Sequence, residues 1–143
     1  MKTIALVPCS SKKKQTKKPI EAKDLYIGPF FKKALECAKS LRPDIIFILS
    51  AKHHLVELNQ KLSNYDMKLS SKTKDQKEWA SIVLRQLEEK GIDLDYDKII
   101  ILTGKKYYEN ILPEIGNHEI IGEGLPIGLK IKEFNRIINN QKK

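Results

Sequence analysis

Two short stretches of this chain collect the residue types that chemistry needs. Pro8-Cys9-Ser10-Ser11-Lys12-Lys13-Lys14 sets a thiol, two hydroxyls and three ammonium groups side by side, and Ser50-Ala51-Lys52-His53-His54 joins an ammonium to two imidazoles. Hydroxyls, exposed amides and Lys side chains make a cradle for a phosphate or carboxylate. The spacing is not GxxxxGK[ST], which sets a P-loop aside. Neighbouring Lys side chains lower the pKa of a thiol, so Cys9 is a candidate nucleophile, although Cys is more often a small packing residue. Lys52 and His53 suit acid-base work or contact with a base, whereas His54 reads as a solvent-facing residue. Neither HxxxH nor a companion carboxylate spacing is present, so no metal is expected at SAKHH.

Two carboxylates extend the set. Asp66 follows Tyr65 in a lysine-bearing connection, and Asp24 precedes Leu25-Tyr26. An Asp in such a place orients a water or stabilises a developing cation, and it equally serves as a turn residue. Tyr26 and Tyr65 offer rings on which a base could stack. Gly104 shapes a turn and would let a ligand approach the backbone. The candidate catalytic residues are therefore Asp24, Lys52, His53 and Asp66. The candidate binding residues are Cys9, Ser10, Ser11, Lys12, Lys13, Tyr26, Ser50, Tyr65 and Gly104. No cofactor is implied.

These residues need elements to position them. At 143 residues with 41% hydrophobic content, the chain suits a single α/β domain over residues 1–143. Three continuous apolar runs, KTIALVP (2–8), IIFIL (45–49) and KIIILT (98–103), read as strands buried on both faces, and Glu119–Ile121 reads as a brief fourth. Helical periodicity appears from Pro29 to Leu41, from a Thr73/Gln76 capping box to Gly91, briefly around Tyr107–Leu112, and through Ile131, Phe134 and Ile138. Cys9–Gly28 and Leu55–Lys72 read as long loops, and loops of that length are usually functional or mobile. Alternation of strand and helix predicts a three-layer αβα sandwich around a central, mainly parallel four-stranded sheet. In such sheets ligands bind beyond the carboxyl ends of the strands. PCSSKKK, SAKHH, Thr103–Tyr107 and Gly122–Gly128 all leave those ends.

Charge points the same way. The net charge is +9, and residues 1–28 carry +5 while residues 29–72 carry +4; the remainder is balanced, at −2 for residues 73–98 and +2 for 99–143. A basic field on the half that holds both unusual loops fits a phosphate-rich partner, although 24 of the 27 cations are Lys, a bias that base composition alone can produce. The apolar run at the N-terminus is too short for a signal sequence, and none approaches a membrane span, so a cytoplasmic protein with no membrane partner is expected. The two cysteines show no CxxC spacing and suggest neither zinc nor a structural disulfide.

Taken as a set, the motifs PCSSKKK (8–14), AKDLYIGPFFKKA (22–34), SAKHHL (50–55), NYDMKL (64–69) and GLPIGLKI (124–131) resemble those of a bacterial and phage domain family of unassigned function. That family carries PCSxKK, DLYxGPxF, SAKxGL, a YD pair and a closing PLxGxxIG turn. His54 stands where it usually has Gly, which predicts an altered turn at that point. The family is similar in fold to the uracil-DNA glycosylase superfamily, and its PCSxKK start is similar to a domain accompanying archaeal tRNA-guanine transglycosylases. The resemblance implies contact with a nucleobase or nucleic acid, DNA foremost, in phage defence or base modification. The water-activating motif and HPS loop of the glycosylases are absent. A DNA glycosylase-type hydrolase is the leading expectation; a nucleoside- or nucleotide-processing enzyme and a non-catalytic nucleic-acid binding module are the alternatives.

Overall fold

Apolar runs four to six residues long become strands here because both faces of the sheet are covered. In the computed structural model, which describes residues 1–142, β1 (Thr3–Pro8) is the centre of a five-stranded sheet that also contains β3 (Ile45–Ser50), β4 (His54–Glu57), β6 (Lys98–Ile101) and β7 (His118–Ile120). Their order is β4-β3-β1-β6-β7. β1 runs parallel to β3, with Ile4 opposite Ile45 and Pro8 opposite Leu49, and parallel to β6, with Leu6 opposite Ile101. β7 is parallel to β6, and only β4 is antiparallel, to β3.

The alternate residues of β1 face two separate cores. Ala5 and Val7 point toward α2 (Pro29–Ser40) and α5 (Ile127–Gln141), where they meet Phe31, Ala34, Ala38, Phe134 and Ile138. Ile4 and Leu6 point the other way, toward Trp79, Ala80, Val83 and Leu87 of α3 (Thr73–Glu89). Helices thus cover both faces, making the three layers that the alternation of elements predicts. Pro29 opens α2 at its first turn, where the missing amide hydrogen has no intrahelical role. Phe30 of α2 stacks on Phe134 of α5 with ring centroids 5.8 Å apart.

The structure corrects the sequence reading in three places. The sheet has five strands rather than four, because His54–Glu57 returns along β3 as an antiparallel edge. His54 makes that return possible by adopting φ +63°, so the turn that Gly would favour is kept with an imidazole in it. The two long loops are also partly structured. β2 (Ile20–Glu21), from the first, pairs with β5 (Lys61–Leu62), from the second, and α1 (Ala22–Leu25) follows β2 directly. The Thr73/Gln76 capping box does not form: Lys72 is the N-cap residue, the Gln76 side-chain amide donates to the Ser70 carbonyl at 2.8 Å, and Ser70 Oγ donates to Asp75 at 2.6 Å.

Candidate functional site

Parallel strands bring their following loops to one rim, and Cys9, Ser50 and Gly104 all lie there, after β1, β3 and β6. The chain leaves β1 for β3 on one side and later reaches β6 on the other, so the order reverses at β1. Such a reversal opens a crevice between the diverging loops. Across this one, Cys9 Sγ lies 3.7 Å from Tyr107 Oη, which is carried on α4 (Lys105–Tyr108).

Tyr65 is the centre of the cluster. Its hydroxyl lies 2.6 Å from Tyr26 Oη and 2.8 Å from Ser50 Oγ, tying the connection after β5 to α1 and to the end of β3. Lys13 Nζ sits over the Tyr65 ring at 4.3 Å from its centroid, Lys52 Nζ is 5.7 Å away, and the His53 ring meets it edge-on at 5.2 Å. Ser50 Oγ also accepts the backbone amides of Lys52 and His53, at 3.3 and 3.0 Å, which fixes the SAKHH turn. Beneath it, the Trp79 indole N–H donates to the Ser50 carbonyl at 2.9 Å, and the indole meets Tyr107 edge-on at 5.4 Å.

Electrostatics follow from this enclosure. Lys13 is only 8% exposed, and among the described residues no carboxylate lies within ion-pairing distance of it. Burial lowers its pKa, opposed by the nearby Cys9 and Asp66. His53 is pushed down by burial first, then by Lys52 and His54, which favours the neutral imidazole at pH 7. Burial raises the phenols of Tyr26, Tyr65 and Tyr107, so all three remain protonated donors. At the same rim Thr103 Oγ1 is buried without a hydrogen-bond partner.

Not every residue marked by the sequence joins the cluster. Cys9, Lys13, Tyr26, Ser50, Lys52, His53 and Tyr65 do, although Tyr26 is buried in the core and its ring has no free face on which a base could stack, and Asp66 lies at the exposed edge. Ser10 is committed to its own loop: its hydroxyl donates to the Lys12 carbonyl at 2.8 Å and accepts the Gly28 amide at 2.9 Å. A Cβ at Gly28 would fall 2.3 Å from that oxygen, so Gly28 is required for the close approach. Ser11 and Lys12 are exposed. Asp24 instead lines a neighbouring hollow of about 520 Å³ with Lys14, Lys23, Lys32 and the side of Tyr26. Gly104 borders another, of about 390 Å³, with Tyr108, Glu123 and the buried Lys130. Trp79 and Tyr107 were legible only as helix positions, although a buried indole N–H always needs an acceptor. Among the described residues no group of three or more His, Cys, Asp or Glu side chains is placed to hold a metal ion. No helix among them is long and apolar enough to cross a membrane.

Residues 4–136 match the family described as "Family of unknown function (DUF6884)", and this chain belongs to that family. It is also 30% identical, over 150 residues, to the uncharacterized protein YfjM of Bacillus subtilis (strain 168), in a match that covers 99% of this chain and 98% of the relative.

Proposed function

We propose that the chain acts on nucleic acid, DNA foremost, as a glycosylase-type hydrolase that excises a modified nucleobase. The observation that carries this reading is the convergence of Lys13, Lys52 and His53 on the Tyr65 ring at the carboxyl end of the parallel sheet. Cleavage of an N-glycosidic bond leaves positive charge on the sugar and negative charge on the departing base. Asp66, at the edge of the cluster, is suited to orient water or stabilise the sugar cation; Lys52 and neutral His53 are suited to hydrogen-bond the base as it leaves. A base taken out of its stack would be received by the aromatic surface of Tyr65 and Tyr107. The exposed Lys12 and Lys14 of PCSSKKK and the lysines of the hollow beside Asp24 would hold the phosphate backbone. The uracil-DNA glycosylase-like form of the sandwich belongs to the same reading.

Purified protein incubated with duplex and single-stranded oligonucleotides bearing unmodified or modified bases should release free base and leave alkali-labile sites. Asp66→Asn should abolish the release. Absence of released base from every substrate, with DNA binding intact, would leave the second reading, a non-catalytic binding module. One observation favours that alternative: Asp24 and Asp66 are both exposed, and neither belongs to the hydrogen-bonded network around Tyr65.

A further inference from the structure

Lys13 and Lys130 are the two buried lysines among the described residues, and of the two only Lys13 stands over the Tyr65 ring. Most of the chain's 24 lysines are solvent-facing, as long ammonium side chains normally are. Lys13 is held at the rim by backbone on both sides. It forms an isolated antiparallel bridge with Tyr26, while the adjacent Lys14 amide donates to the Leu25 carbonyl at 2.8 Å. Its side chain is therefore delivered to one place, over the Tyr65 ring. There its only hydrogen bond among the described residues is a long one, 3.4 Å, to the Ser11 carbonyl. A structural lysine in such a position would be expected to have a carboxylate partner. A lysine that is desolvated, without an acid in ion-pairing distance and fixed against an aromatic ring at the mouth of a crevice is instead suited to act as a nucleophilic amine.

We propose that Lys13 is an imine-forming residue whose amine condenses with the C1′ aldehyde of an abasic deoxyribose, giving the chain a strand-cleaving lyase step after base removal. The inference rests on the glycosylase-type reading for the origin of that aldehyde. The neutral Lys13 nitrogen adds its lone pair to C1′, and the carbonyl electron pair moves to oxygen, which takes a proton. The carbinolamine hydroxyl then takes a proton from solvent and leaves as water while the nitrogen lone pair forms the C=N bond, leaving a protonated imine; that proton is returned when the imine is hydrolysed. Removal of a C2′ proton by a base, for which Asp66 and His53 are placed, sends electrons into the new C2′–C3′ double bond. The C3′–O bond breaks and the phosphate leaves with its electron pair. Hydrolysis of the imine consumes one water and restores the amine, so the sequence neither oxidises nor reduces anything.

The test uses an end-labelled duplex with one preformed abasic site, which bypasses base excision. Full-length protein is mixed with it in the presence of sodium cyanoborohydride, whose hydride converts the imine to a stable secondary amine. A covalent protein–DNA adduct is expected, and peptide mapping by mass spectrometry should place it on Lys13. Lys13→Arg keeps a cation over Tyr65 but cannot form the imine, and should lose the adduct. Mapping on the wild-type chain stands even if that variant folds poorly. No adduct, an adduct on Lys52 or the N-terminal amine, or attachment scattered over surface lysines overturns the proposal. A chain that releases bases yet forms no adduct refutes the lyase step alone, whereas an adduct without base release refutes the excision reading alone.

Discussion

The two ends of the parallel sheet are built from opposite chemistry. At the amino end, carboxylates close the turns: Asp97 accepts the backbone amides of Lys2 and Asp93, both at 2.8 Å, and Asp44 accepts that of Thr3 at 2.7 Å. Asp97 is buried, and those amides hold its carboxyl below the usual range. At the carboxyl end, cations, phenols, an imidazole and a thiol gather while the carboxylates stay exposed. The amides of Lys2, Thr3 and Asp93 at the amino end each have a carboxylate acceptor. At the carboxyl end, among the described residues, Lys13 has no acid within ion-pairing distance and Thr103 Oγ1 has no hydrogen-bond partner. The amino end satisfies these polar groups within the chain, and the unpaired Lys13 of the carboxyl end is among the groups that the proposed function puts to use.

Substitutions can break this contrast. The largest effect is expected from Trp79→Ala, which removes the indole supporting Ser50, Tyr107 and His54. A loss of about 3–5 kcal/mol should appear in urea unfolding, together with loss of any nucleic-acid affinity; a small loss would mean that α3 does not support the rim. Asp97→Ala should come next, lowering the melting temperature while leaving oligonucleotide binding unaltered once the protein is folded. Equal damage from Asp66→Ala would erase the distinction between the two ends. Tyr65→Phe keeps the ring and removes the hydroxyl shared with Tyr26 and Ser50. It should cost about 1–3 kcal/mol, and an unchanged midpoint would show that those contacts are not formed in solution.

Acid should sharpen the contrast further. His53 and His54 both have lowered pKa values in the folded chain, mainly through burial. The unfolded chain therefore takes up protons first as pH falls through about 6.5, and stability should decline below that point and level off once the folded-state values are passed. Replacing both by Gln should flatten the decline in thermal melts between about pH 7 and 5. The smallest effect is expected from His54→Gly. Relief of the left-handed φ and loss of contact with Trp79 oppose one another, so the net change should stay within about 1 kcal/mol. A larger loss would assign the imidazole a structural role of its own.

Much of this architecture was legible because buried parallel strands leave continuous apolar runs, as in β1, β3 and β6, and because α2 and α3 repeat their apolar residues at helical intervals. β4 escaped because HLVE is short and its start depends on a non-glycine residue at positive φ. β2 and β5, two residues each, carry no periodic signal and exist only through their pairing with one another. Within the rim, unusual residue types at strand ends marked Cys9, Lys13, Ser50 and His53, and the Tyr-Asp pair in a lysine-bearing connection marked Tyr65. Tyr107 and Trp79 were hidden because an aromatic on an amphipathic helix looks the same whether it packs a core or lines a crevice. Asp24 and Gly104 were marked by their loops, but the path of the backbone and, for Asp24, the direction of its side chain put them at adjoining hollows, and neither is written in spacing.

The two thiols carry a practical consequence. Cys37 is wholly enclosed on the buried face of α2, and burial pushes it up to about 12, so it offers alkylating reagents neither access nor thiolate. Cys9 is half-buried and faces Tyr107 across the crevice. A fluorescent maleimide added to the native chain should therefore label one position, placing an optical reporter at the mouth of the crevice with no engineered cysteine.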